Sequence, residues 1–350
     1  MKIGITLGHV GDTVQDTVRF AVQAEQAGLP IIGMGDVPSV FREAYGLLMA
    51  CALATSKVQL GPTVTNPVIR HPYITASSIA TIDEASGGRA FVVIGTGNAS
   101  VRNLNLPKAT IADLEAAARM IRTGFVESAA KDDGARSRTE QRQSPLEWPT
   151  RVVPLYVAAG TGLRSLKVAA DYADGVMLHT VAGNLPLARR RVEQLKELRA
   201  AGPRAGDPLE VWLYSPGWVS DSPEECRTVL GSIVTGSLGI FDFSRAVEGV
   251  DEDLAGRLRA FQQEYSYSSH ASHSAQVNVD LMEKHGVTDF LFGRVAVYGS
   301  HAEVAKQLAD LEDAGVQGAF FSGAIPDKPR LISALGDLQR ELDARTPVPA

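Results

Sequence analysis

The stretch Gly61–Ser100, GPTVTNPVIRHPYITASSIATIDEASGGRAFVVIGTGNAS, decides the fold. It reads as a buried strand, a loop, an amphipathic helix and a second buried strand that opens directly into a glycine-rich turn. The two strand ends, Thr63–Asn66 and Gly95–Asn98, would project side chains and backbone amides into one mouth. That is where α/β proteins place their chemistry.

Working outward, four segments share one grammar, an amphipathic helix followed by a glycine and a short apolar strand: AEQAGLPIIGMGD, AADYADGVMLHT, EKHGVTDFLFG and LEDAGVQGAFFSG. In the first helix Val14, Val18, Ala21 and Val22 recur at helical spacing, Asp12 with Gln15 offers a cap, and Gly28 offers a left-handed stop. In the last unit Ser300 and Glu303 form a capping box, and Val304, Leu308 and Leu311 make the inward stripe. A repeated helix-to-strand step means parallel strands with helices outside. Strands are predicted near 2–6, 31–35, 58–64, 90–95, 153–158, 175–179, 210–215 and 316–321. Eight of them over this length predict a closed (β/α)₈ TIM barrel rather than an open Rossmann sheet. The chain from 1 to 350 reads as a single domain with insertions at about 131–150 and 221–275. The first is polar enough to be a surface loop. The second carries Phe241, Phe243, Phe261, Tyr265 and Tyr267 and is expected to cap the barrel mouth.

Composition narrows the function. With 350 residues, 45% of them hydrophobic, the chain can bury a large aliphatic core. A net charge of −6 without a basic block argues against nucleic acid and for a small-molecule substrate. Cys51 and Cys226 lack the spacing of a disulfide framework or a zinc site. The N-terminus does not read as a signal peptide and no apolar run reaches membrane length, so a cytoplasmic protein is expected.

Two glycine turns follow strands, GTGNAS at Gly95–Ser100 and AAGTGLRS at Ala158–Ser165. Each is a truncated G-x-G-x-x-G with serine in place of the third glycine, a weak dinucleotide signal. Free amides there can still cradle a phosphate where the next helix aligns its dipole, or the glycines can simply make tight turns; the residues alone leave both open. Asp36 ends the second strand, where a carboxylate needs a polar pocket or serves as a helix cap. His9 and His179 sit at strand ends and suit acid–base work, although a lone histidine there is more often structural. His71 is expected to fix its loop. HASH at His270–His273 lacks an acidic partner and is not read as a metal site. No nucleophile elbow, P-loop or HExxH is present, so hydrolase and kinase readings have no support.

The run TVTNPVIRHPYITASSIATIDEASGGRAFVVIGTGN resembles the signature region of the bacterial luciferase-like superfamily, most of all its methylenetetrahydromethanopterin reductase branch. AVQAEQAGLPIIGMGD, VPLYVAAGTGLRSLKVAADYADGVML and VAVYGSHAEVAKQLADLEDAGVQGAFFSG extend the likeness across most of the chain. The resemblance implies a (β/α)₈ barrel, often a dimer, that binds FMN or the deazaflavin coenzyme F-420 at its C-terminal mouth. It makes Asp36 a cofactor or active-site contact and places Thr63, Val64, Thr65 and Asn66 against the ring, with a non-prolyl cis peptide at Thr63–Val64. It gives Gly95, Thr96, Gly97 and Asn98 to the ring or ribityl chain, and Ala159, Gly160, Thr161 and Gly162 to the phosphate. One departure stands out: Val37 occupies a position where several members carry histidine, and Asn98 one where some deazaflavin enzymes carry glutamate.

Two mechanisms then compete, with a catalytically silent cofactor-binding barrel as the third reading. Reduced FMN from a separate flavin reductase could react with oxygen and oxygenate a small organic substrate, or coenzyme F-420 could exchange a hydride with it. The missing histidine and glutamate tilt the sequence reading toward the FMN-dependent monooxygenase. Val37 cannot move a proton, so His9, His179 and Asp36 become the catalytic candidates. Tyr214, Trp218 and Phe41 could line the pocket, and Arg42 and Arg102 are the nearest cations for an anionic substrate.

Overall fold

The computed structural model describes residues 1–129, 146–160, 162–179, 181–237, 247–266 and 276–345. Its elements are, in order, β1 (Lys2–Leu7), α1 (Val14–Gln26), β2 (Ile31–Met34), α2 (Ala44–Ala54), β3 (Gln59–Pro62), α3 (Pro72–Ser86), β4 (Val92–Ile94), α4 (Ala99–Arg102) and α5 (Ile111–Ala129). Then come β5 (Leu155–Ala159), α6 (Leu163–Tyr172), β6 (Gly175–His179), α7 (Leu185–Ala200), β7 (Glu210–Ser215), β8 (Gly217–Val219) and α8 (Pro223–Gly236). The chain continues through α9 (Glu252–Glu264), α10 (Gln276–Lys284), α11 (Thr288–Val295), β9 (Val297–Gly299), α12 (His301–Asp313), β10 (Gly318–Ser322) and α13 (Lys328–Arg345).

Eight parallel strands run in the order β3-β2-β1-β10-β7-β6-β5-β4. Bridges from Leu60 to Ala90 and from Thr65 to Ile94 join the two ends into a barrel. All eight strands predicted from the sequence are present, with ends displaced by a residue or two. The interior is filled by Ile31, Phe91, Val93, Met177, Trp212 and Phe320. Glycine makes room for the largest of these: a Cβ on Gly318 would fall 2.3 Å from the Trp212 ring. The wider aliphatic core lies between strands and helices.

Several local expectations are corrected. The cap of α1 is Thr13 with Asp16, not Asp12 with Gln15; the Thr13 hydroxyl accepts from the Asp16 N–H while Asp12 is engaged elsewhere. DFLFG is not a strand but part of α11, because Leu291, Phe292 and Val295 bury one helical face. A short apolar run does not by itself distinguish the two. The strand that follows, β9, pairs with β8 in a separate two-stranded sheet that the sequence reading lacks. The Ser300–Glu303 capping box is present, and Val304, Leu308 and Leu311 are buried as expected.

Of the two predicted insertions, residues 130–145 lie outside the described part, as do Phe241, Phe243, Tyr267 and His270–His273. In the second insertion Phe261 and Tyr265 pack into the core instead of facing the mouth. Trp218 does the same, being 2% exposed. Cys51 and Cys226 are buried and unpaired with each other. Among the described residues no helix is long and apolar enough to cross a membrane, and no cluster of metal-ligating side chains occurs.

Candidate active site

Side chains alternate along each strand, so the residue two beyond the uppermost interior residue of a strand faces the C-terminal mouth. Above Val93, Met177, Trp212 and Phe320 stand Gly95, His179, Tyr214 and Ser322. All four line a cavity of about 330 Å³ at that mouth. Thr6 of β1 and Ala158 of β5 line it too. Gly95 and Ala158 make one side of the mouth small, whereas Thr6, His179, Tyr214 and Ser322 make the other polar.

The end of β3 leans inward because β2 has no side chain there: a Cβ on Gly33 would fall 2.2 Å from Thr63 Oγ1. The peptide Thr63–Val64 is cis, as the resemblance implied. Thr63 and Val64 line the cavity, together with Asp36 and the turn Gly95, Thr96, Gly97 and Asn98. Thr65 and Asn66 do not, contrary to the expectation. Thr65 Oγ1 donates to Asp36 Oδ2 at 2.7 Å. Asn66 Nδ2 donates to Ser100 Oγ at 3.0 Å, and its Oδ1 accepts the N–H groups of Val68 and Ile69 at 3.1 Å. Both therefore brace the mouth from behind. Asp36 is buried, which raises its carboxyl pKa against the opposing pull of the Thr65 hydroxyl and Arg70.

On the β5 side Ala159 and Gly160 line the cavity, whereas Gly162 forms the N-cap of α6. Among the described residues no side chain caps that helix, so its first amides and the positive end of its dipole are left open beside Gly160. Thr161 lies outside the described residues. Val37, Val40 and Phe41 form an apolar wall after β2, so the two departures at Val37 and Asn98 are both exposed to the cavity.

His9 and His179 both reach the mouth, as predicted. His9 Nε2 lies 3.1 Å from the Thr6 hydroxyl and carbonyl oxygens, and its ring meets Phe41 edge-on at 5.2 Å. Asp12 fixes the loop beneath it, accepting the His9 N–H at 3.2 Å and pairing with Lys328 at 3.0 Å. Arg42 donates to the Asp12 carbonyl and does not line the cavity. His179 lies against Tyr214, ring centroids 5.1 Å apart and planes 30° from parallel. Burial pushes its imidazole down to about 4, so it is neutral at pH 7. Sequence reasoning missed Thr6 and Ser322, whereas the roof made by Ser232, Ile233 and Gly236 of α8 and its C-cap Ser237 lies in the 221–275 stretch expected to cap the mouth. Strand parity pointed to Thr6 and Ser322. His71 caps α3 through Nδ1, as expected.

Residues 1–318 match the family model described as luciferase-like monooxygenase. The chain belongs to this family. A 5,10-methylenetetrahydromethanopterin reductase from Archaeoglobus fulgidus is 27% identical over 304 residues, 84% of this chain and 86% of that protein. An F-420-dependent glucose-6-phosphate dehydrogenase from Kineococcus radiotolerans is 31% identical over 201 residues, 53% of this chain and 59% of that protein. The structure of a coenzyme F-420-dependent tetrahydromethanopterin reductase from Methanopyrus kandleri superposes with a TM-score of 0.71 at 21% identity, covering 96% of this chain and 97% of that one. This luciferase-like chain is thus an enzyme of the FMN- or F-420-dependent oxidoreductase type on a TIM-barrel fold.

Proposed function

We propose that this family member is a coenzyme F-420-dependent oxidoreductase that transfers a hydride to or from a small organic substrate. The observation that carries it is the likeness to the F-420-dependent dehydrogenase from Kineococcus, 31% identical over 201 residues. The likeness to the Archaeoglobus reductase, which extends over 84% of the chain, agrees with a hydride-transferring enzyme. This reverses the tilt toward FMN that Val37 and Asn98 gave the sequence. Reduced FMN with oxygen stays the second reading, favoured by those two positions and by the family description.

The mouth suits a flat ring. Gly35, Gly95, Ala158 and Gly160 leave one side bare, and a Cβ on Gly95 would sit 3.2 Å from the side chains of both Val64 and Ala158, filling the slot. The open amides at the start of α6 would take the phosphate. Either cofactor supplies the redox chemistry, as a hydride carrier or as an oxygen-reactive ring. The chain's own part is to position the substrate, to exclude water through Val37, Val40, Phe41 and the α8 roof, and to supply hydrogen bonds from the polar side.

Fluorescence titration with coenzyme F-420, FMN and reduced FMN tests the assignment, and coenzyme F-420 should bind at least tenfold more tightly than either form of FMN. Tighter binding of reduced FMN would transfer the function to the second reading. Gly160→Leu should weaken cofactor binding by roughly tenfold or more, about 1.4 kcal/mol. Gly256→Ala, at a site with open space and outside the cavity lining, should leave it unchanged.

The expected homodimer finds support in α2, whose sequence AYGLLMACALA is apolar on every face although Leu53 is 72% exposed. Sedimentation should give twice the chain mass, and Leu53→Glu should shift it toward the single chain. A wild-type protein of single-chain mass at micromolar concentration would contradict the dimer.

A further inference from the structure

The two sides of the mouth follow the barrel order. The small or apolar positions Gly35, Val64, Gly95 and Ala158 belong to β2, β3, β4 and β5 or their ends, which are neighbours. The polar positions Thr6, Ser322, Tyr214 and His179 belong to β1, β10, β7 and β6, also neighbours in that order. They form one continuous wall opposite the bare one, and all four line the cavity.

We infer that this wall receives the reacting polar atom of the substrate, and that the Tyr214 hydroxyl is its hydrogen-bond donor, to an uncharged acceptor such as a carbonyl oxygen or an imine nitrogen. The inference rests on the oxidoreductase reading and adds a residue and an acceptor class to it. Tyr214 has the longest side chain of the wall, with His179 against its ring and the hydroxyl-bearing Thr6 and Ser322 lining the cavity with it. A phenol whose ring is held by a neighbouring ring presents its hydroxyl to a ligand in a restricted direction, which is the preorganisation that makes a single hydrogen bond selective.

Protonation supports the geometry. Burial raises the Tyr214 pKa further above its ordinary value, so the hydroxyl keeps its proton and donates. Burial also holds His179 neutral at pH 7, so the wall offers dipoles rather than a charge there. Thr6 extends the polar wall to His9, 3.1 Å away at the rim. The wall after β2, by contrast, carries the Asp36 carboxyl beside the apolar Val37, Val40 and Phe41. A neutral acceptor gains from the polar wall, whereas a carboxylate would exchange full hydration for one neutral donor.

The test uses the full-length protein without cofactor and a chromophoric probe, 4-dimethylaminocinnamaldehyde, whose absorption moves to longer wavelength as its carbonyl accepts a stronger hydrogen bond. The aldehyde should bind saturably. Its bound band should lie at shorter wavelength in Tyr214→Phe than in the wild type, with affinity reduced about tenfold. The corresponding carboxylate, 4-dimethylaminocinnamate, should bind the wild type at least tenfold more weakly than the aldehyde. Should Tyr214→Phe fail to fold, Ser322→Ala decides instead, because loss of a hydroxyl from the same polar wall should move the bound band part of the way. Unchanged band and affinity in the folded Tyr214→Phe protein, tighter binding of the carboxylate, or no saturable binding of the aldehyde overturns the assignment. Because this arm contains no cofactor, its failure is distinguishable from failure of the F-420 reading, which the cofactor titrations report.

Discussion

Replacing Asp12 with alanine should lower the unfolding free energy by about 3–5 kcal/mol, the range for removing one partner of a buried ion pair. Asp12 and Lys328 are paired at 3.0 Å with side-chain exposures of only 9% and 6%. Without the carboxylate, the ammonium would be left with the Ile325 carbonyl at 3.5 Å and the face of Phe20 at 5.6 Å. Neither replaces a charge partner. The loss of Asp12 also frees the His9 N–H, so the loop that carries His9 into the mouth would loosen together with the start of α13. Lys328→Met in the Asp12→Ala background should restore most of the stability, because it removes the stranded charge while keeping the packing against Phe20. Urea unfolding of the wild type, both single variants and the double variant checks this. A loss below about 1 kcal/mol in Asp12→Ala would place the pair among the weak surface bridges.

That pair also shows what sequence reading reaches and what it does not. The eight barrel strands were legible because each is a short apolar run beside an amphipathic helix, and that pattern is local. The mouth was legible at Asp36, Thr63, Gly95–Asn98 and Ala159–Gly160 because those residues follow strand ends directly. Asp12 was misread as a helix cap because its partner is 316 positions away, and no local pattern encodes such a contact. Thr65 and Asn66 were assigned to the ring because they sit in the same motif as Thr63 and Val64. Only the fold shows their side chains turned to Asp36 and Ser100. Tyr214 could be named from its strand position, but its role depends on Thr6, His179 and Ser322, from three other strands. The DFLFG segment failed for another reason, since an apolar run of that length fits helix and strand equally.

The second large effect is on pH dependence. His179 is pushed from 6.5 down to about 4 by burial. As pH falls below 6.5 the unfolded chain takes up a proton at this residue while the folded chain does not, so stability is lost with acidification down to about pH 4. Between pH 7 and pH 5 this single group should cost about 2 kcal/mol, and by pH 4 about 3 kcal/mol. Asp36 acts in the opposite sense. Its raised pKa means that the folded carboxyl binds its proton before the unfolded one does, which favours the folded state as pH falls toward 3.8. Comparing wild type with His179→Gln cancels Asp36 and every other titrating group, leaving the histidine alone. The wild type should lose about 2 kcal/mol more than the variant between pH 7 and pH 5, measured by urea unfolding at each pH. The same depression has a catalytic consequence: no inflection near pH 6.5 in the rate profile should respond to His179→Gln, because the ring beside Tyr214 is already neutral there. Parallel stability losses in the two proteins would mean that His179 reaches water, and the polar wall would then carry an ionisable group in place of a fixed dipole.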